Sequence, residues 1–446
     1  MNLTARLRSK YYRIRNSIGF YPAVIATGYF ILANAVVVLD YSGVGSAIEK
    51  VLPWLKHTYV SSYNAILTTL STGIISLTVL SFSMVMVVLS NTATSFSPKL
   101  LLGLVSEKSH QYVLGNYVGT IIYCLILMLA TSGDKSAILS GVGVIIAALL
   151  GIWCIVLFFY FIHNISVSIQ INNITQQIYH DTKSELNKQR GDQKENMLRW
   201  QAREQGIIPR YQYKSKTSGF FQTISASHLA KLAGSHDLVV RIKHPIGDFV
   251  VEGAPLFLCN KPADELDETV LEKIYGSFIF FTGEKIDVNY RYGFTQLMEI
   301  AIKALSPGIN DPGTACICID YLTHLLVLRH ELQDRTVYYD DANRPRVIIP
   351  SFSFEALFNI CISPIRRYGK GDLAIARQLL KCFETIALFD KDEGQYRQLL
   401  NEHTAIVIEN VTNTPHTQND LTMVNAILDN MKQQLDGYFD VHVIRS

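Results

Sequence analysis

The sequence predicts an α-helical transmembrane domain of four spans, followed by a cytosolic α+β region with a small β-rich, barrel-sandwich-like module and a helical C-terminal part. Three observations carry this. The chain is 49% hydrophobic and only 17% charged, too apolar for an ordinary soluble protein of 446 residues. Residues 57–98, 109–133 and 136–180 hold no Asp, Glu, Lys or Arg, and each run exceeds the roughly 20 residues that cross a bilayer. Beyond residue 216 the texture changes to short Val-, Ile- and Phe-rich runs, then to amphipathic helical periodicity. The chain therefore divides into a membrane domain at 1–163, a juxtamembrane helix and charged linker at 164–216, a β-rich module at 217–290 and a mainly helical domain at 291–446.

The four spans fall at about 17–39, 61–90, 112–131 and 136–162. Arg6, Arg8, Lys10, Arg13 and Arg15 precede the first with no acid among them. That apolar run is too long for a signal peptide and lacks a small-residue cleavage site, so it is expected to stay as an anchor. Basic flanks stay cytoplasmic, and an even number of spans returns the C-terminus to the same side. Residues 181–216, with nine Lys/Arg against five Asp/Glu, fit that side and could also rest on anionic headgroups. The expected setting is a bacterial inner membrane with both termini cytoplasmic.

The second uncharged run, 42 residues from His57 to Pro98, would measure about 63 Å as one helix, twice the hydrocarbon thickness. It must tilt, break near Gly73 or project, and Pro98 biases Ser97 away from helix, so the helix should stop near Ser97. At 100° per residue, Ser61, Asn64, Thr68, Thr72, Ser76, Ser83 and Ser90 lie within about 60° of one line, interrupted by Val79 and Met86. Two explanations compete. Hydroxyls bond back to helix carbonyls and small residues permit close packing; or the stripe lines a watery path that Val79 and Met86 constrict. No charged residue lies on the stripe, so such a path would lack the rings that set strong ion selectivity.

Spans three and four form a hairpin through Thr131-Ser132-Gly133-Asp134-Lys135, and Gly115-x-x-x-Gly119 and Gly141-x-Gly143 offer small faces for packing. His163 sits at the membrane boundary, where packing is the expected role. Ile171, Ile174 and Ile178 recur at helical spacing, carrying helix onward after the fourth span. In the β-rich module, "GFFQTI", "DLVVRIK" and "DFVVEGAPLFLC" are strand candidates, and Ser227 to Ala233 is a short helix closed by Gly234. The run "IGDFVVEGAPLF" is similar to the turn-and-strand pattern of barrel-sandwich hybrid domains, with Gly247 and Gly253 at turns and no modified lysine at a hairpin tip.

Between two amphipathic helices lies "ALSPGINDPGTA", residues 304–315. Pro307 and Gly308 stop the first helix, whose inner face is Leu297, Ile300, Ala301, Ala304 and Leu305. Asp311 caps the second and Pro312 opens it, because a carboxylate accepts orphan amides and proline has none to leave unpaired. Ser306 and Asn310 are left without a structural task. Further on, "TVYYDDANRPRVIIP" is a hairpin turning near Asn343, and 353–436 is helical, with Asp372 as a cap.

Taken together, "SFSMVMVVLSNTATSFSPKLL" (81–101) and "MEIAIKALSPGINDPGTA" (298–315) resemble the signatures of the bacterial predicted-membrane-protein family catalogued as domain-of-unknown-function family 2254, over most of the chain to about residue 430. The resemblance implies an inner-membrane protein with a large cytosolic part, and no activity.

Candidate chemistry is sparse. The seven cysteines form no disulfide or zinc pattern, and Cys316-x-Cys318 lacks a second pair. Asp320 and His324, one turn apart, could ligate a metal with His330 and Asp311, but no third ligand or activated nucleophile accompanies them. No enzyme, cofactor or metal is expected, and no glycine-rich phosphate loop or basic-aromatic surface points to nucleic acid. Three functions remain: a homo-oligomeric channel or passive pathway lined by the second span, a membrane-anchored sensor or scaffold with a ligand- or partner-binding cytosolic part, and a metal-assisted enzyme.

Overall fold

A computed structural model describes residues 19–42, 60–95, 108–131, 142–168, 171–200, 209–281, 289–390, 394–435 and 437–440. These fall into two compact units, 1–173 and 174–446.

The first unit is built from α1 (Phe20–Tyr41), α2 (Val60–Ser95), α3 (Lys108–Thr131) and α4 (Val142–Ser168). All four are long and apolar enough to cross a bilayer, as their uncharged runs require. With 36 residues and no break at Gly73, α2 is one continuous helix of about 54 Å, ending at Ser95; the expected stop near Ser97, the 131–135 connection beyond Thr131 and Gly141 lie outside the described residues. Small residues set the packing. A Cβ at Gly115 would stand 2.9 Å from Ile25 and one at Gly119 2.7 Å from the Tyr29 ring, so the Gly115-x-x-x-Gly119 face is what lets α1 approach α3. Gly143 admits the Tyr63 hydroxyl in the same way. Polar side chains inside the bundle are held locally. Tyr29 and Trp153 donate to Asn116 Oδ1 at 2.7 and 3.3 Å, and Asn116 Nδ2 donates to the Tyr112 carbonyl.

The second unit opens with α5 (Ile171–Trp200), whose residues from Ile174 onward belong to it. A mixed α+β layer follows: β1 (Tyr211–Lys214), β2 (Gly219–Ile224), α6 (Ala226–Ser235), β3 (Val240–Ile242), β4 (Phe249–Val250), β5 (Pro255–Cys259), α7 (Glu268–Gly276) and β6 (Phe278–Phe281). With β7 (Arg335–Tyr339) and β8 (Pro345–Pro350) from further along the chain, the strands form a five-stranded sheet in the order β1-β5-β3-β8-β7 and a three-stranded sheet β4-β2-β6. Both sheets close over one core in which Phe221, Leu229, Val240, Phe257 and Ile274 are buried.

The hairpin turning at Asn343 (φ 56°) supplies β7 (Arg335–Tyr339) and β8 (Pro345–Pro350). It joins this sheet through β8 running parallel to β3, Val240 opposite Val347. Arg346, only 2% exposed, fastens it by donating to Asp340 at 2.9 Å and to the Leu238 carbonyl at 3.1 Å. Burial alone would raise the Asp340 carboxyl; the Arg344 amide and the two guanidiniums outweigh it and hold the group at about 2. Gly234 does not close α6, which runs on to Ser235; a Cβ there would meet Asp340 at 2.6 Å, so the glycine makes room for the hairpin.

The helical part comprises α8 (Tyr290–Ala304), α9 (Pro312–His330), α10 (Phe354–Tyr368), α11 (Leu373–Asp390), α12 (Arg397–Thr412) and α13 (Gln418–Gln434). Asp372 caps α11 by accepting from the Ala374 amide at 2.7 Å, as its position before the apolar run requires. Buried His403 on α12 donates from Nε2 to Asn359 at 3.0 Å, while Nδ1 has no partner among the described residues. Burial and the nearby Arg366 charge push this imidazole down to about 4. The unfolded chain, near 6.5, therefore binds the proton first, and stability present above about pH 6.5 is lost as pH falls toward 4. A thermal melt series should show the midpoint falling between pH 7 and 5 in the wild type and falling less in His403→Gln. An identical slope in the two would contradict this assignment.

Candidate functional site

The α2 stripe is the first candidate. The packed side of α2 is Tyr63, Leu67, Ser71, Ile74 and Ser81, all buried. The predicted stripe lies on the other side: Thr68, Thr72, Ser76, Ser83 and Ser90 are exposed, as are Val79 (60%) and Met86 (49%), while Asn64 is half-buried. The side chain of Ser61 is outside the described residues. Among the described residues the stripe is therefore not a packing seam. Ser76 does bond back, its Oγ donating to the Thr72 carbonyl at 3.0 Å, which satisfies its donor and leaves its lone pairs facing outward.

The loop between α8 and α9 is the second. Helix α8 ends at Ala304, before Pro307 and Gly308. The Ser306 hydroxyl donates to the Lys303 carbonyl at 2.6 Å, and the Ser306 carbonyl accepts the amides of Ile309 and Asn310. Asn310 has φ 48°, the left-handed region that asparagine tolerates. Both residues thus have structural tasks. Asp311 accepts from the Thr314 amide at 3.1 Å and its hydroxyl at 2.6 Å, and these bonds hold its carboxyl below the usual range. Pro312 occupies the first turn of α9, and Pro307, Gly308 and Asn310 are exposed. Asp311→Ala should cost about 1 kcal/mol of stability through the lost cap, read as a small shift in the denaturation midpoint. Loss of activity at unchanged stability would instead make this loop a ligand site.

The Asp320–His324 pair is the third. Although one turn apart on α9, the two side chains take different partners: Gln378 of α11 donates to Asp320, and His324 Nδ1 lies 2.6 Å from the Tyr179 hydroxyl of α5. His330 donates elsewhere again, to Asp390 at 3.1 Å. Among the described residues no group of three His, Cys, Asp or Glu could hold a metal ion. Cys316 lies half-buried and Cys318 fully buried, and burial raises both thiols, Cys318 to about 12. Sequence reading passed over two buried charges, Arg329 and Asp390, and a cavity of about 820 Å³ beside them lined by His330, Glu331, Asp334, Arg335, Phe389 and Tyr396. Their only trace in the sequence is a charged residue at the inward end of an apolar helix.

Residues 15–385 match the family model described as predicted membrane protein (DUF2254). Similar proteins include the uncharacterized protein Mb1321c of Mycobacterium bovis and the uncharacterized protein Rv1290c of Mycobacterium tuberculosis, each 24% identical over 357 residues that cover 77% of this chain and 67% of theirs. No solved structure matches significantly.

Proposed function

Since the chain belongs to the DUF2254 family of predicted membrane proteins, we propose that it assembles as a homo-oligomer in the bacterial inner membrane and forms a channel or passive pathway lined by α2. The observation that supports this is the uncovered stripe: five hydroxyl residues from Thr68 to Ser90 share the side of α2 that its own bundle leaves open. Facing lipid, these hydroxyls would find no partner beyond their own helix; facing an axis between copies, they would hydrate a path. Exposed Val79 and Met86 would then form the apolar constriction. With no charge on the stripe, the path would discriminate weakly among ions. Both termini are placed in the cytoplasm on the strength of the basic N-terminus.

The cavity beside His330 supports a second reading, a membrane-anchored sensor or scaffold whose second unit takes a ligand. The positive φ of Gly247 (101°) and Gly253 (83°) supports a barrel-sandwich-like reading of 217–290. We assign no enzymatic role, since a metal-assisted reaction would need Asp320 and His324 to converge.

Ion flux in liposomes tests the pore. Val79→Ser should raise flux about tenfold over wild type at equal folded protein, the effect of a dewetting barrier lowered by roughly 1.4 kcal/mol. Protein-free background in both proteins would refute it.

A further inference from the structure

Helix α5, which follows the last apolar helix in sequence, is fastened along α8, α9 and the start of β7. A Cβ at Gly293 would stand 1.8 Å from Thr182 Oγ1, so α5 meets α8 there at backbone distance. Gln193 accepts the Gln333 amide at 2.9 Å and donates to the carbonyls of Gln333 and Arg335, and Arg190 pairs with Glu331. Just before these contacts along α5 sits an aromatic joint. Buried Tyr179 stacks on Tyr321 with ring centroids 4.6 Å apart, and its hydroxyl lies 2.6 Å from His324 Nδ1.

That hydroxyl also receives a hydrogen bond from Lys183 Nζ at 3.4 Å. With the ammonium donating to the phenol oxygen, the phenol hydrogen points to the Nδ1 of a neutral imidazole protonated on Nε2; the other tautomer would crowd a second donor onto the oxygen that Lys183 already occupies. We infer that the Lys183–Tyr179–His324 chain is an acid-released latch holding α5 against α9. A proton arriving at His324 goes to Nδ1, the atom that accepts from Tyr179. The imidazolium then has nothing to accept with, the phenol proton must turn away, and two cations face one oxygen.

The surrounding charges do not offset this. On α5, His180 lies 5.1 Å ring to ring from Tyr179 and adds no negative charge. On α9, Asp320 is engaged by Gln378 and Lys381 of α11. Helix α8 carries Arg291, which pairs with Asp248, Glu299, whose Oε2 is buried without a partner among the described residues, and Lys303; at the end of α9, Arg329 is bonded to Asp334. Partial desolvation where the ring meets Tyr179, and the Lys183 charge, lower His324 from its ordinary value. Undocking restores the ordinary value, so the undocked form binds the proton first; docking is complete above the usual histidine range and weakens as pH falls through it. His324 is itself exposed and can titrate without unfolding. This device stands independently of the pore.

The test is hydrogen exchange of residues 174–194 in the full chain in nanodiscs at pH 7.5 and 5.5, corrected for intrinsic chemistry. Protection in the wild type should fall on acidification, about tenfold for each pKa unit separating docked from undocked His324. His324→Asn, whose Oδ1 can replace the Nδ1 acceptor without titrating, should remove the fall, and His180→Gln should keep it. A fall that persists in His324→Asn, vanishes in His180→Gln, or is missing from the wild type overturns the latch. Should His324→Asn fail to dock at pH 7.5, the reciprocal measurement decides. By NMR the His324 midpoint must lie lower in the wild type than in undocked Tyr179→Ala, and equal midpoints overturn it.

Discussion

Asp390→Ala should destabilise the second unit by about 3–5 kcal/mol and lower its thermal midpoint by roughly 10 °C. The carboxylate is fully buried at the end of α11 and accepts four donors: His330 Nε2 at 3.1 Å, the Gln395 and Tyr396 amides at 3.1 and 2.9 Å, and the Tyr438 hydroxyl at 2.5 Å. It therefore ties three things to α11: the end of α9, the start of α12 and the 437–440 segment. Removing it orphans buried donors on all three at once, and each unmet donor costs about 1–3 kcal/mol. Asp390→Asn should recover only part of the loss, because its amide presents hydrogens to groups that are themselves donors. A midpoint within about 2 °C of wild type for the alanine variant would show that these contacts do not hold the helices together.

Arg329→Met should cost a similar amount, about 3–5 kcal/mol, read as a lower denaturation midpoint at unchanged slope. The guanidinium is fully buried at the end of α9. It donates from Nη1 to the Leu332 carbonyl at 2.8 Å, from Nε to the Phe352 carbonyl at 3.1 Å and from Nη2 to Asp334. One planar fork thus closes the turn into β7 and anchors the approach to α10. Met keeps the stem volume and removes every donor. Arg329→Lys should rescue little, since an ammonium on a flexible stem does not span three acceptors in fixed directions. Full rescue by lysine would mean that charge alone, and not the fork, is what the site uses.

The membrane helices and the α8–α9 joint were legible in the sequence because their causes are local. A run without charge long enough to cross a bilayer is visible residue by residue, and Asp311-Pro312 marks a helix start by its own capping chemistry. The joint's remaining residues were less legible: the tasks of Ser306 and Asn310 depend on where the chain turns, which spacing does not show. What was hidden lies in distant pairings. Nothing near Val240 announces that Val347 will lie opposite it. Gly234 has the look of a helix stop, but its reason is Asp340, more than a hundred residues on. Asp320 and His324 share a face by periodicity, yet partners from α11 and α5 draw them apart. On α2 the periodicity sufficed to find the stripe, and only the fold could show that it is the uncovered side.

The central claim is that this side of α2 faces water. The direct measurement is labelling by a membrane-impermeant, water-requiring thiol reagent of single cysteines at Thr72, Ser76 and Ser83, compared with one at Ile66, which is 40% exposed on a different side of the same helix. Reaction at the three stripe positions with none at Ile66 is the result expected of a hydrated path between copies. Four positions that all stay unlabelled would place the stripe in lipid or in a dry interface and contradict the account.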